Sequence, residues 1–160
     1  MGLLEPPPRL TPISVRQVLR SCTEALARTE GCRGVEVNVP EGPLPIVAGM
    51  ESLLPKALNA VLVCAARLVS GVGFVEVNCR EERSETYLTV TSQGRSIPAQ
   101  TLPNFFDLLA FSEDAVGCHL GLGPALAARI LPLMGGSITA RNVGASAAEF
   151  VVRMRSARLQ

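Results

Sequence analysis

Aromatic residues are scarce in this chain of 160 residues, at 4%, and tryptophan is missing altogether. That shortage excludes an aromatic stacking platform of the kind that holds single-stranded nucleic acid. An excess of one charge is missing too. Fifteen Lys and Arg against 14 Asp and Glu leave a formal charge of +1, so no general field draws the chain to nucleic acid or to an anionic membrane. No apolar run is long enough to cross a bilayer, because the longest, "ALNAVLVCAARLV" (57–69), is interrupted by Asn59 and Arg67. A secretory signal is not expected, since "MGLLEPPPRL" puts a Glu and three prolines where an apolar stretch should stand. The five cysteines, Cys22, Cys32, Cys64, Cys79 and Cys118, contain no C-x-x-C pair and are odd in number. Zinc and disulfide readings are therefore poor, and a reducing, cytoplasmic setting is expected. One histidine, His119, leaves no second imidazole to activate a serine nucleophile.

What is present is the composition of one globular domain, 48% hydrophobic and 18% charged. Residues 1–12 are proline-rich and read as an extended linker, 13–155 as the folded domain, and 156–160 as a tail. Apolar residues at helical spacing predict a first helix over 13–31 and a second, largely buried one over 51–71, with Pro55 tolerable in its first turn. "GVEVNV" (34–39) alternates as a half-buried strand does, and "EGPLPIVAG" after it reads as a loop with a short extended stretch. "GFVEVNCREE" and "ETYLTVTSQG", separated by a charged turn, have the pattern of an antiparallel hairpin. A short helix is expected around Phe105 to Leu109, another over 124–134, and two strands over 135–155. This order predicts an α+β, two-layer sandwich with helices on one face of a mixed, mostly antiparallel sheet.

Four stretches carry a resemblance when they are taken in order: "LLPKALNAVLVCAARLV", "LTVTSQGRSIP", "LPNFFDLLAF" and "HLGLGPALAARILPLMGGSI". They resemble the N box, first glycine box, F box and second glycine box of the catalytic and ATP-binding domain of sensor histidine kinases, within the GHKL superfamily. The resemblance runs from about Ile13 to Met154. It implies an ATP and Mg²⁺ site and phosphoryl transfer from ATP to a histidine. It also implies partnership with a dimerising, phospho-accepting helical hairpin and with a response regulator. The implied site residues are Asn59, Val63, Ser92, Gly94, Ser96, Gly121, Leu122 and Gly123.

Several of these depart from the family pattern. Val63 stands where a second asparagine ligates Mg²⁺, and a methyl group cannot ligate a cation that demands oxygen. The basic residue often found three places later is Ala66. Ser92 replaces the aspartate that accepts from the adenine amino group, and charge-assisted hydrogen bonds are roughly twice as strong as neutral ones. Ser96 replaces a glycine, His119 puts a side chain at the head of the second glycine box, and Pro124 removes an N–H donor. Ala147 and Ala148 stand in for the third glycine box. Expected core residues, among them Leu58, Leu62, Phe105, Ile130 and Leu133, stay apolar.

Each feature also has a plain structural reading. Residues 121–136 suit a helix with Pro at its start and Gly at its stop, with no ligand needed. Asn59 suits a buried amide bonded to backbone. Arg141, Arg153, Arg155 and Arg158 suit a solvated edge. The resemblance then leaves three functions open: a kinase domain whose Mg·ATP site has decayed, an active atypical histidine kinase domain, and an anti-sigma-like or adaptor module that only binds protein.

Overall fold

The computed structural model describes residues 9–69, 73–106 and 123–157. The chain opens with β1 (Thr11–Ser14), which runs into α1 (Val15–Leu26). Ser14 ends the strand and caps the helix, its Oγ accepting from the Gln17 amide at 3.3 Å. The helix stops at Leu26 rather than running to Gly31, because the Arg28 and Thr29 amides turn back to the carbonyls of Ala25 and Leu26. Two short strands follow, β2 (Glu36–Asn38) and β3 (Ile46–Gly49), and then the long helix α2 (Leu54–Val69). Pro55 is its second residue, where a missing N–H costs no helical bond.

The hairpin stands where alternation places it. Strands β4 (Phe74–Glu82) and β5 (Glu85–Gln93) pair from Phe74 with Gln93 to Glu82 with Glu85. The two residues between them, Arg83 and Ser84, have φ of 50° and 70°, the signature of a two-residue turn that matches strand twist. A single 3₁₀ turn covers Leu102–Asn104. After it come α3 (Gly123–Ile130), a 3₁₀ turn over Leu131–Met134, β6 (Ser137–Asn142) and β7 (Ala147–Ser156).

The seven strands form one sheet in the order β1-β3-β7-β5-β4-β2, with β6 also on β7. Among the described residues only β2 and β4 run parallel; the other pairings are antiparallel. Burial alternates along the central strands. Leu88, Val90, Phe150 and Val152 are 0 to 1% exposed and face α2 with its neighbours, while Tyr87, Thr89, Val151 and Arg153 on the other face are half-buried. The helices therefore cover one face, and the architecture is the expected two-layer α+β sandwich.

Four of the five expected core residues are inside: Leu58, Leu62 and Phe105 at 1% exposure and Ile130 at 5%. Leu133 is not; it is 56% exposed. Leu133 lies seven residues, about two helical turns, after Leu126, on the outer side of α3 where Leu126 is 44% exposed, while Leu131 and Met134 of the closing 3₁₀ turn are buried. Gly135, at φ 75°, ends this turn in the left-handed conformation, and the Gly136 amide returns to the Leu131 carbonyl at 2.9 Å. Cys22, Cys32 and Cys64 lie in the core as small apolar residues, and burial pushes the Cys22 thiol up to about 11.

Candidate functional site

Helix α2 is the shelf on which the candidate residues converge. Asn59 and Val63 lie four residues apart, on one side of the helix, and both are half-buried. Val63 packs against the core, and its backbone carbonyl accepts a weak bond from the Cys32 thiol at 3.9 Å. It brings no oxygen to the helix surface. Burial pushes the Cys32 thiol above its usual range, opposed by the nearby Arg67 guanidinium, so a neutral S–H donor is the form present at neutral pH. Ala66, in the place of the basic residue, is 0% exposed. The side-chain oxygen of Asn59 is buried and has no hydrogen-bond partner among the described residues. A buried acceptor left in this way costs about 1 to 3 kcal/mol. The plain reading of Asn59 as an amide bonded to backbone is thus not what its oxygen does.

Ser92 comes from β5, between Val75 on one neighbouring strand and Ala148 on the other. It is 0% exposed, and its hydroxyl donates to the Ala65 carbonyl of α2 at 2.8 Å. The side chain therefore ties the sheet to the helix. An aspartate here would present an oxygen, not a donor, to Ala65. Ser92 has its one proton committed inward.

Past Ser92 the chain leaves the sheet at Gly94, which is exposed and has φ of 152°, a conformation glycine adopts readily. Its amide donates to the Ser146 carbonyl at 2.8 Å. Ser96 is half-buried beside Ile97, which is held at both backbone groups by one side chain. Asn142 Oδ1 accepts from the Ile97 amide at 2.7 Å, and Asn142 Nδ2 donates to the Ile97 carbonyl at 2.6 Å. Sequence reasoning missed this clamp, because an asparagine at the end of a strand looks like any turn residue.

Gly123 opens α3 against α2. A methyl group built on it would meet the Ala60 carbonyl oxygen at 3.4 Å, which is ordinary contact. The packing therefore does not demand glycine at this position. Pro124, the next residue, is buried, and its missing donor falls in the first turn, where no helical bond is due. Gly121, Leu122 and His119, together with the lid between Phe111 and His119, lie outside the described residues. Ala147 and Ala148 are 4% and 0% exposed in β7. The structure thus gathers Asn59, Val63, Ser92 and Gly123 onto or against α2, with Gly94 and Ser96 leading away from the same end of β5.

Helices on one face of this forked, mostly antiparallel sheet define the ATPase-domain fold of histidine kinases. Among solved structures, the mycobacterial sensor histidine kinase MprB superposes with a TM-score of 0.79 and 22% identity, over 93% of this chain and 100% of that one. The ATP-binding domain of PrrB from Mycobacterium tuberculosis gives 0.70 and 20%, over 94% and 99%. Full-length ShkA in complex with AMPPNP gives 0.76 and 21%, over 94% of this chain and 32% of that one. At these identities the likeness is one of fold. No protein-family model matches the chain, and no curated protein matches it either.

Whether Mg·ATP fits can be judged on the residues present. Where the resemblance places a metal ligand stands a valine packed on the core, and where it places the adenine acceptor stands a fully buried serine whose proton points into α2. These two residues do not fit the group. Among the described candidate residues, Asn59, Gly94 and Gly123 keep the residue types it would need. Among the described residues there is no cluster of His, Cys, Asp and Glu that could hold a metal ion, and no helix is long and apolar enough to cross a membrane.

Proposed function

We propose that this chain is a histidine-kinase-type ATPase domain whose Mg·ATP site has decayed, and that it acts in signal transduction through protein contacts. The observation that carries this reading is Ser92, closed off from solvent and bonded into α2. Val63 supports it, since the metal position supplies only methyl groups. The solved neighbours supply the context: two are described as a sensor histidine kinase and an ATP-binding domain, and a third was solved with AMPPNP. The contacts proposed are those of the fold family, a dimerising helical hairpin and a response regulator, in the cytoplasm. The test is transfer of labelled phosphate from millimolar ATP to a histidine-bearing hairpin supplied with the chain. No transfer is expected, and clear transfer would overturn the reading.

One observation favours a second reading, that of an active atypical kinase domain. The Asn59 oxygen has no partner among the described residues, as an acceptor kept for a ligand would not. On that reading Asn59, Gly94 and Gly123, with Gly121, hold a nucleotide weakly, and Asn59→Ala lowers nucleotide affinity. On the first reading Asn59→Ala only raises stability, because it removes an unsatisfied buried acceptor.

A further inference from the structure

A groove lies at the opposite end of the sheet from the candidate site. Ala48, Arg155 and Glu85 sit side by side on β3, β7 and β5 in paired register, on the face away from the helices. That row is eight residues along β5 from Gln93, about 27 Å at the rise of an antiparallel strand. Leu10 and Ala48 give the groove an apolar part, and Arg83 stands at its lip on the hairpin turn. Its volume is about 430 Å³, and it is open to solvent rather than enclosed.

The two arginines are set rather than scattered. Arg155 lies over Gly135, where an added methyl would come to 2.7 Å from its Nε and would have to push the side chain aside. Arg83 occupies a left-handed position, φ 50°, usually given to Gly, Asn or Asp in such turns. The cost of placing an arginine there is unexplained by packing, because the residue is exposed. Neither guanidinium has a hydrogen bond or a close ion pair among the described residues, although the Arg155 charge helps, as a minor cause, to hold the neighbouring Glu85 carboxyl low. Glu85, the groove's carboxylate, is already engaged at both oxygens: Arg153 Nη1 donates to Oε1 at 2.6 Å and the Tyr87 hydroxyl donates to Oε2 at 3.0 Å. The groove is left cationic, with two donor forks that match carboxylates.

We propose that this groove docks an acidic peptide segment of a protein partner, with carboxylates paired to Arg83 and Arg155 and the peptide's apolar atoms against Leu10 and Ala48. A chain segment fits better than a small molecule. An open groove leaves most of a small ligand in water, whereas a peptide continues past it. The site is independent of the nucleotide question, and its test reads out without nucleotide.

The probe is fluorescently labelled hexaglutamate, titrated into the intact chain at low salt and followed by anisotropy. Saturable binding is expected, weakened at least tenfold in the Arg83→Gln, Arg155→Gln double variant and at least threefold by Arg83→Gln alone. The single variant sits on an exposed turn and keeps the fold even where the loss of Arg155 packing does not. Arg80→Gln, on the same hairpin but outside the groove, leaves binding unchanged. Absence of binding, unchanged binding in the double variant, or equal weakening by Arg80→Gln would each overturn the proposal, the last by assigning the effect to diffuse charge.

Discussion

Replacing Ser92 by aspartate, the residue that the resemblance to histidine kinases implies at this place, should destabilise the chain, and the amount can be worked out. The substitution removes the hydroxyl bond to Ala65, worth about 1 kcal/mol. It also sets a carboxylate, in a site that is 0% exposed, against the Ala65 carbonyl oxygen, with no cation bonded there among the described residues. An unpaired charged group in that position adds more than about 2 kcal/mol. The total is about 3 kcal/mol at pH 8, or roughly 6 to 12 °C in Tm for a domain of this size. The sign of the pH dependence follows. Burial raises the folded-state pKa of the new acid above its unfolded value of about 3.9, so the penalty is absent below that value and grows as pH rises towards the folded-state pKa. Protonated, the acid can donate to Ala65 as serine does. Ser92→Ala loses only the hydrogen bond, about 1 kcal/mol, at every pH. Thermal unfolding of the three proteins between pH 4 and pH 8 is the assay. An aspartate variant as stable as wild type at pH 8 would refute the closed environment assigned to Ser92.

Other outcomes follow from the same contacts. Gly123→Ala should change stability by less than about 0.5 kcal/mol, since the new methyl meets only ordinary contact at Ala60. Gly136→Ala should cost about 2 kcal/mol or more by denaturant unfolding, because its methyl would lie 2.4 Å from the Arg153 carbonyl oxygen in the backbone of β7. Asn142→Ala should cost about 1 to 3 kcal/mol and speed hydrogen exchange at Ile97, whose two backbone groups it leaves without their partner. The Tyr87 hydroxyl, and after it Arg153, hold the Glu85 carboxyl below its usual value, so Tyr87→Phe should move that titration upward in an NMR pH series.

Much of the fold could be read before the structure because its signals are local. The β4–β5 hairpin followed from alternation on both sides of a charged turn, and the buried α2 from an apolar run with Pro in its first turn. Other features depend on partners far away in sequence. Ile13 opens the stretch expected as the first helix, yet it sits in β1 because β3 is there to pair with it. Leu133 is apolar, yet it falls two helical turns after the exposed Leu126 and stays on that outer side, which only the packing of α3 reveals. At the candidate site the sequence displayed the substitutions at Val63 and Ser92 but not their consequence. That Ser92 donates into α2, and that Asn59 keeps an oxygen without a partner among the described residues, are properties of neighbours brought up by the fold.

The central claim is that the fold persists while its Mg·ATP site does not, and calorimetric titration of the intact chain with ATP in the presence of Mg²⁺ tests it most directly. The account predicts no heat of saturable binding at micromolar ATP, and no change when Mg²⁺ is replaced by a chelator, because Val63 offers the metal nothing. A micromolar, Mg²⁺-dependent dissociation constant would contradict it.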